Sequence, residues 1–150
     1  TDRYALDPFS RAVLLGRGVR MAGPEVRGGL SAPDRAELEA AVAAHWRIIR
    51  DHGGAPSRSV YGAGWMLDIA RGLYTLKTGR VAPKTRAGQW ALDRSLAPDP
   101  GVLERVLAIR RDPASLAADP AAGDFVAGLG PAIGRFAGVL EGALRERRLI

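Results

Sequence analysis

The sequence predicts an all-α fold: an antiparallel bundle of about five helices over residues 31–150, preceded over residues 1–30 by a short helix and strand. Three observations predict it. From Ser31 onward apolar residues recur at i, i+3, i+4 spacing, the period of one helix face. Prolines and acidic caps open the periodic runs, and glycines close them. The connections between runs are short, which favours antiparallel neighbours.

The elements follow in order. Asp7-Pro8 is an N-cap and first-turn pair, and a short helix is expected from there to about Gly18. Val19-Arg20-Met21-Ala22 alternates like a strand and stops at Gly23-Pro24. A lone strand has no partner within this chain, so it is expected to pair with another chain or domain, or to lie loosely. Pro33 and Asp34 open the next helix, with Leu38, Ala41, Val42, His45/Trp46 and Ile49 on one face, and Gly53-Gly54 ends it. A second bundle helix is expected from near Ser59 to Thr78, with Gly79 just past its end. A third starts at Pro83 and covers Trp90 to about Ser95. A fourth begins at Asp99-Pro100 and ends around Arg111-Asp112. After a loop rich in Ala, Asp and Pro, a last helix is expected from about Asp124 to Arg148, interrupted by Gly128, Gly130-Pro131 and Gly134.

Composition narrows the chemistry. The 150 residues contain no cysteine, so disulfides, thiolate catalysis and Cys-type zinc sites are excluded. His45 and His52 are the only histidines, seven apart, and a helix does not bring them to one metal. No apolar run reaches the roughly 20 residues of a membrane span. No charged-then-apolar leader opens the chain, so a cytoplasmic protein is the expectation. Thr1 is not an initiator methionine, which fits a processed or truncated product. The net charge of +6 suits an anionic partner such as nucleotide or phosphate. The charge is nearly all arginine, with Lys77 and Lys84 the only lysines, and it is scattered except at Arg110-Arg111 and Arg145 to Arg148, so a nucleic-acid surface is not expected.

The run from Val60 to Thr78 is the most informative. Val60, Ala63, Leu67, Ala70 and Tyr74 form one apolar line, and Met66, Ile69, Leu73 and Leu76 a second. A helix apolar around most of its circumference is central, with Leu67, Ala70 and Leu73 inside. Tyr61, Gly64, Asp68, Arg71, Thr75 and Thr78 form the one remaining stripe. A polar line on a buried helix must be paired or meet water, so Asp68 and Arg71 are expected to reach a cleft. An ordinary surface ion pair between them, three residues apart, satisfies the same pattern. Lys84 sits at the start of the next helix, where a cation opposes the helix dipole unless an anion compensates. Free N–H groups there attract anions, and phosphate is the anion expected between Arg71 and Lys84; an exposed lysine is the alternative.

Tyr74-x-x-x-Thr78-Gly79-Arg80-Val81-x-Pro83-Lys84-x-x-Ala87-x-x-Trp90-Ala91-Leu92-Asp93-Arg94 closely resembles the C-terminal helical domain of aminoglycoside 3″-type adenylyltransferases, which modify streptomycin and spectinomycin. More weakly, Val19-x-x-x-Gly23-Pro24 resembles the last strand and turn of that family's nucleotidyltransferase domain, and Pro33 to Ile49 resembles the first helix of its helical domain. The resemblance implies that residues 1–30 are the tail of the nucleotidyltransferase domain or a linker, and residues 31–150 the helical domain. It also implies AMP transfer from ATP to a substrate hydroxyl with Mg2+, whose ligands and catalytic base lie N-terminal to this chain. No catalytic or metal residue is therefore expected here, and the isolated chain should not catalyse the reaction.

By the same resemblance Arg71 and Lys84 contact the nucleotide, while Tyr61, Ser57 and Asp68 are the substrate-side candidates. Where the family holds its cationic drug with a tryptophan and two carboxylates, this chain has His52, Ser57 and Tyr61, and Ile109 replaces a tyrosine that stacks on ATP. The drug-binding charge is gone, so a hydroxyl compound other than streptomycin or spectinomycin is expected. The implied partners are the nucleotidyltransferase domain and a small-molecule substrate; separately, the unpaired edge expected within residues 1–30 invites association with a second copy. Two other readings remain open. One is a non-catalytic binding or assembly module. The other is an RNase resembling HEPN bundles, whose Arg and His spacing is matched by Arg47-Ile48-Ile49-Arg50-Asp51-His52.

Overall fold

The computed structural model describes residues 6–150, and all of its regular structure is helical. Eight α-helices follow in order: α1 (Pro8–Arg17), α2 (Arg35–His52), α3 (Val60–Thr78), α4 (Lys84–Asp93), α5 (Pro100–Arg111), α6 (Ala114–Ala118), α7 (Pro120–Ala127) and α8 (Gly130–Glu146). A single 3-10 turn covers Arg27–Gly29.

Local chemistry sets the ends. The Asp34 carboxylate accepts from the Glu37 N–H, and the Glu37 side chain accepts from the Asp34 N–H, closing a capping box at the start of α2. Asp7 caps α1 by accepting from the Ser10 N–H. Gly79 ends α3 in the left-handed region, φ 68°, a conformation that disfavours any Cβ. Pro83 flanks α4, and Lys84 is its first helical residue, one position earlier in the helix than the sequence suggested.

α3 is the central helix, packed on α2, α4, α5, α7 and α8. Leu67, Ile69 and Ala70 have almost no exposure, and Leu73 is buried with them. Gly72 lets α2 and α8 approach: a Cβ there would lie 3.2 Å from Val42 and 3.3 Å from Leu140. Phe136, Leu140 and Leu144 of α8 complete the core against α2 and α3.

Three expectations need correction. Val19 to Ala22 forms no strand; Val19 and Met21 project into solvent, since nothing in the described residues offers the paired edge a strand needs. The segment after Arg111 is not a plain loop. It holds α6 and the start of α7, the latter opened by Pro120 with the Asp119 carboxylate accepting from the Ala121 N–H. The single last helix is in fact two, α7 and α8, divided at Gly128 and Leu129, where a Cβ on Gly130 would come 2.9 Å from the Gly54 carbonyl oxygen. Residues 31–150 thus carry seven helices instead of about five.

α1 contributes no buried residue. It leans on α2 through Phe9, which packs on the core's edge, and through an ion pair between Arg11 and Glu37.

Candidate functional site

The α3–α4 hairpin builds the site. After the last turn of α3, the Thr78 hydroxyl donates to the Tyr74 carbonyl (2.8 Å) and accepts from the Arg80 N–H (3.2 Å). Arg35 of α2 donates to the Leu76 carbonyl at 2.9 Å, satisfying one of the acceptors a helix end leaves free. Tyr74 and Trp90 meet edge to face across the hairpin, ring centres 5.3 Å apart. Gly88 lies so close to Leu67 and Leu107 that a Cβ would stand 2.9 Å from each. The chain therefore reverses tightly, and the first residue of α4 comes back over the middle of α3.

That reversal brings Lys84 onto Asp68. The Lys84 ammonium donates to Asp68 Oδ2 at 3.0 Å, and the Arg71 guanidinium donates to Asp68 Oδ1 at 3.2 Å. Gly64, one turn before Asp68, has no side chain; its Cβ position is 3.9 Å from Lys84 Nζ, which leaves the lysine room to cross α3. His45 of α2 completes the group, its Nε2 3.6 Å from Asp68 Oδ2, an electrostatic contact too long for a hydrogen bond. Trp65 flanks the imidazole, ring centres 6.0 Å apart.

Asp68 is buried, 9 % exposed, which pushes its carboxyl upward. The His45 imidazole, the Lys84 ammonium and the Arg71 guanidinium outweigh burial and hold it below the usual carboxylate value. The polar stripe is thus paired rather than freely wet, and Asp68 faces a cleft with far less exposure than expected. Thr75, on the same stripe, is buried outright with a hydroxyl that has no partner. Lys84 has the anion that its place at a helix start demands, and that anion is Asp68.

Beside this group, between α1, α2 and α3, lies an open cavity of about 710 Å3. His45, Asp68 and Arg71 reach it from one side. Phe9 of α1 lies over the Arg71 guanidinium, 5.0 Å from ring centre to carbon.

The other expected site residues lie elsewhere. Ser57 is in the α2–α3 loop, its hydroxyl 3.0 Å from that of Ser59, and Tyr61 extends into solvent in the first turn of α3. Neither lines the cavity, nor does His52. Ile109 is buried in the core, where no nucleotide can stack on it. Arg47 and His52 are both exposed and five residues apart on α2, roughly 140° around the helix, so they do not converge. Among the described residues no group of three or more His, Asp or Glu could hold a metal ion. His45 was read from the sequence only as part of an apolar face; its partner is on another helix, and spacing along one chain segment carries no sign of it.

Residues 34–125 match the family described as aminoglycoside adenylyltransferase, C-terminal domain. The chain belongs to this family. The adenylyltransferase match begins at Asp34, the cap of α2, and ends within α7, so it spans the whole α3–α4 hairpin and the Asp68 group. No curated protein and no solved structure gives a match. A domain defined as C-terminal implies a domain ahead of it in the family's enzymes. No described helix is long and apolar enough to cross a membrane.

Proposed function

We propose that this domain is the nucleotide- and substrate-binding helical half of a cytoplasmic nucleotidyltransferase, which transfers AMP from ATP to a hydroxyl of a small molecule. The convergence of Arg71 and Lys84 on one carboxylate carries the reading. Both cations share the Asp68 carboxylate, and Asp7 acts on Arg71 from α1's cap, so the two cations are only partly neutralised by Asp68 itself. Each cation keeps donors beyond those Asp68 occupies, and guanidinium and ammonium groups suit phosphate oxygens. Asp68 then serves to aim both cations at the phosphates, a role the sequence reading placed on the substrate side. Mg2+ and the catalytic base are assigned to the preceding domain on the family resemblance; among the described residues no group of three or more His, Asp or Glu is placed to hold a metal.

The acceptor is a hydroxyl compound other than streptomycin or spectinomycin. At the positions that would hold a polycationic drug stand His52, Ser57 and Tyr61, none of them an anion. A second reading, an assembly module that pairs with another copy, draws on Val19, Met21 and Val26, exposed together ahead of α2.

ATP titration by calorimetry, in the protein carrying its preceding domain, tests the nucleotide reading. Lys84→Ala alone leaves the buried Asp68 short of a partner, so it perturbs the fold as well as any phosphate contact. The pair Asp68→Asn with Lys84→Met removes both charges together. It should weaken ATP binding about ten-fold, the loss of one charge-assisted contact. Unchanged ATP affinity in that double variant refutes the assignment.

A further inference from the structure

Among the helices around the Asp68 group, α1 is the least committed to the fold. It contributes no buried residue. Its Val13 is 45 % exposed, and Ile48 on the α2 wall of the same cavity is 46 % exposed, so the two helices leave an open gap where a settled pair would close on side chains. None of residues 18–34, which connect α1 to α2, is buried. That connection holds four glycines, Gly18, Gly23, Gly28 and Gly29, and one 3-10 turn as its regular structure.

What holds α1 in place is concentrated on one side chain. The Phe9 ring covers a face of the Arg71 guanidinium, 5.0 Å from ring centre to carbon. Asp7, the cap of α1, acts electrostatically on the same guanidinium. The third tie is the ion pair between Arg11 and Glu37, and the Glu37 side chain is 43 % exposed. Part-exposed cation–π contacts and ion pairs are individually weak. Two of the three ties therefore end on Arg71, the cation that the proposed function gives to phosphate. While they hold, a ring covers part of the guanidinium, and the Asp7 charge opposes the approach of a second anion.

We infer that α1 is a displaceable strap over Arg71, whose docking opposes the binding of a polyphosphate there. The inference rests on the reading of Arg71 as a phosphate ligand and adds its regulation. A polyphosphate that takes the guanidinium loosens two of the three ties, and lifting α1 frees Arg71 for the polyphosphate. The coupling is reciprocal, so each event reports on the other. Its size is set by the fraction of chains in which α1 is already lifted.

The test uses the chain of 150 residues, with inorganic tripolyphosphate as the probe. Calorimetry gives its affinity, and amide hydrogen exchange follows α1. Phe9→Ala and Arg11→Ala each remove one tie, and neither residue is buried. Glu37 still accepts from the Asp34 N–H, so the cap of α2 survives Arg11→Ala. Each variant should speed exchange over residues 8–17 about three- to five-fold, leave exchange in α3 unchanged, and tighten tripolyphosphate by a similar factor. In the unaltered chain, saturating tripolyphosphate should speed exchange in α1. The sign of the affinity change decides. Arg11→Ala removes a cation, so general attraction of a polyanion predicts weaker binding, and Phe9→Ala weakens it too if the ring serves to aim Arg71. Weaker or equal tripolyphosphate binding by variants whose α1 exchanges faster overturns the strap and leaves the phosphate reading standing. Exchange in α1 that neither variant alters also overturns the strap. Absence of tripolyphosphate binding in all three chains overturns the phosphate reading and the strap with it.

Discussion

Replacing Asp68 by Asn keeps the side chain's volume and removes the charge that holds three cationic or protonatable groups together. The carboxylate is buried and accepts one charge-assisted bond from Lys84 and one from Arg71. A bond of that kind contributes about 1.5–3 kcal/mol. Lys84 and Arg71 keep 30 % and 24 % of their side-chain surface, so both can turn toward water when the anion is lost, and the asparagine oxygen still accepts one bond. The net cost should be about 2 kcal/mol at neutral pH. For a domain of this size that is a fall of about 4–8 °C in the thermal midpoint.

The pH dependence distinguishes this account from a packing defect. The Asp68 carboxyl is held below its unfolded value of 3.8, so its stabilisation is present above that pH. It fades as pH falls through the lower folded value. Urea unfolding from pH 7 down to pH 3 should therefore show the gap between wild type and Asp68→Asn narrowing once pH drops below 3.8. A gap that stays constant over the whole range would show that the cations do not stabilise the carboxylate.

Two further outcomes are expected. Gly79→Ala puts a Cβ into a left-handed residue and 3.3 Å from the Arg35 guanidinium, and should destabilise by about 1–2 kcal/mol in urea unfolding, with the helix content by circular dichroism unchanged below the transition. The isolated chain of 150 residues, supplied with ATP and Mg2+, should transfer no AMP to streptomycin; radiolabelled product at this length would refute both the reliance on a preceding domain and the substrate argument.

The sequence makes α3 readable because its apolar lines cover so much of the circumference that only a central position fits them. Gly79 and the Asp34 cap are readable for a different reason: each answers to a local backbone geometry that few residues satisfy. The family motif located the hairpin for the same reason. What the sequence hides is register between helices. Asp68 and Arg71 are visible as a pair three apart, but His45 reaches them only through the crossing of α2 over α3, which spacing along either helix does not encode. The chain after Arg111 misleads in another way. Its alanines fit helix or coil equally, and Pro120 reads as a loop signal until Asp119 is seen to cap it.

The hairpin has a consequence for what the family motif reports. Among the motif residues, Tyr74, Thr78, Gly79 and Trp90 brace a bend; they hold α4 against α3, and none of these four lines the cavity beside Asp68. His52, Ser57 and Tyr61 lie apart from that bend, at the end of α2, in the α2–α3 loop and in the first turn of α3, with Tyr61 standing in solvent. The bend can therefore hold its shape whatever residues occupy that loop, and the bracing part of the motif reports the architecture while leaving the acceptor unspecified.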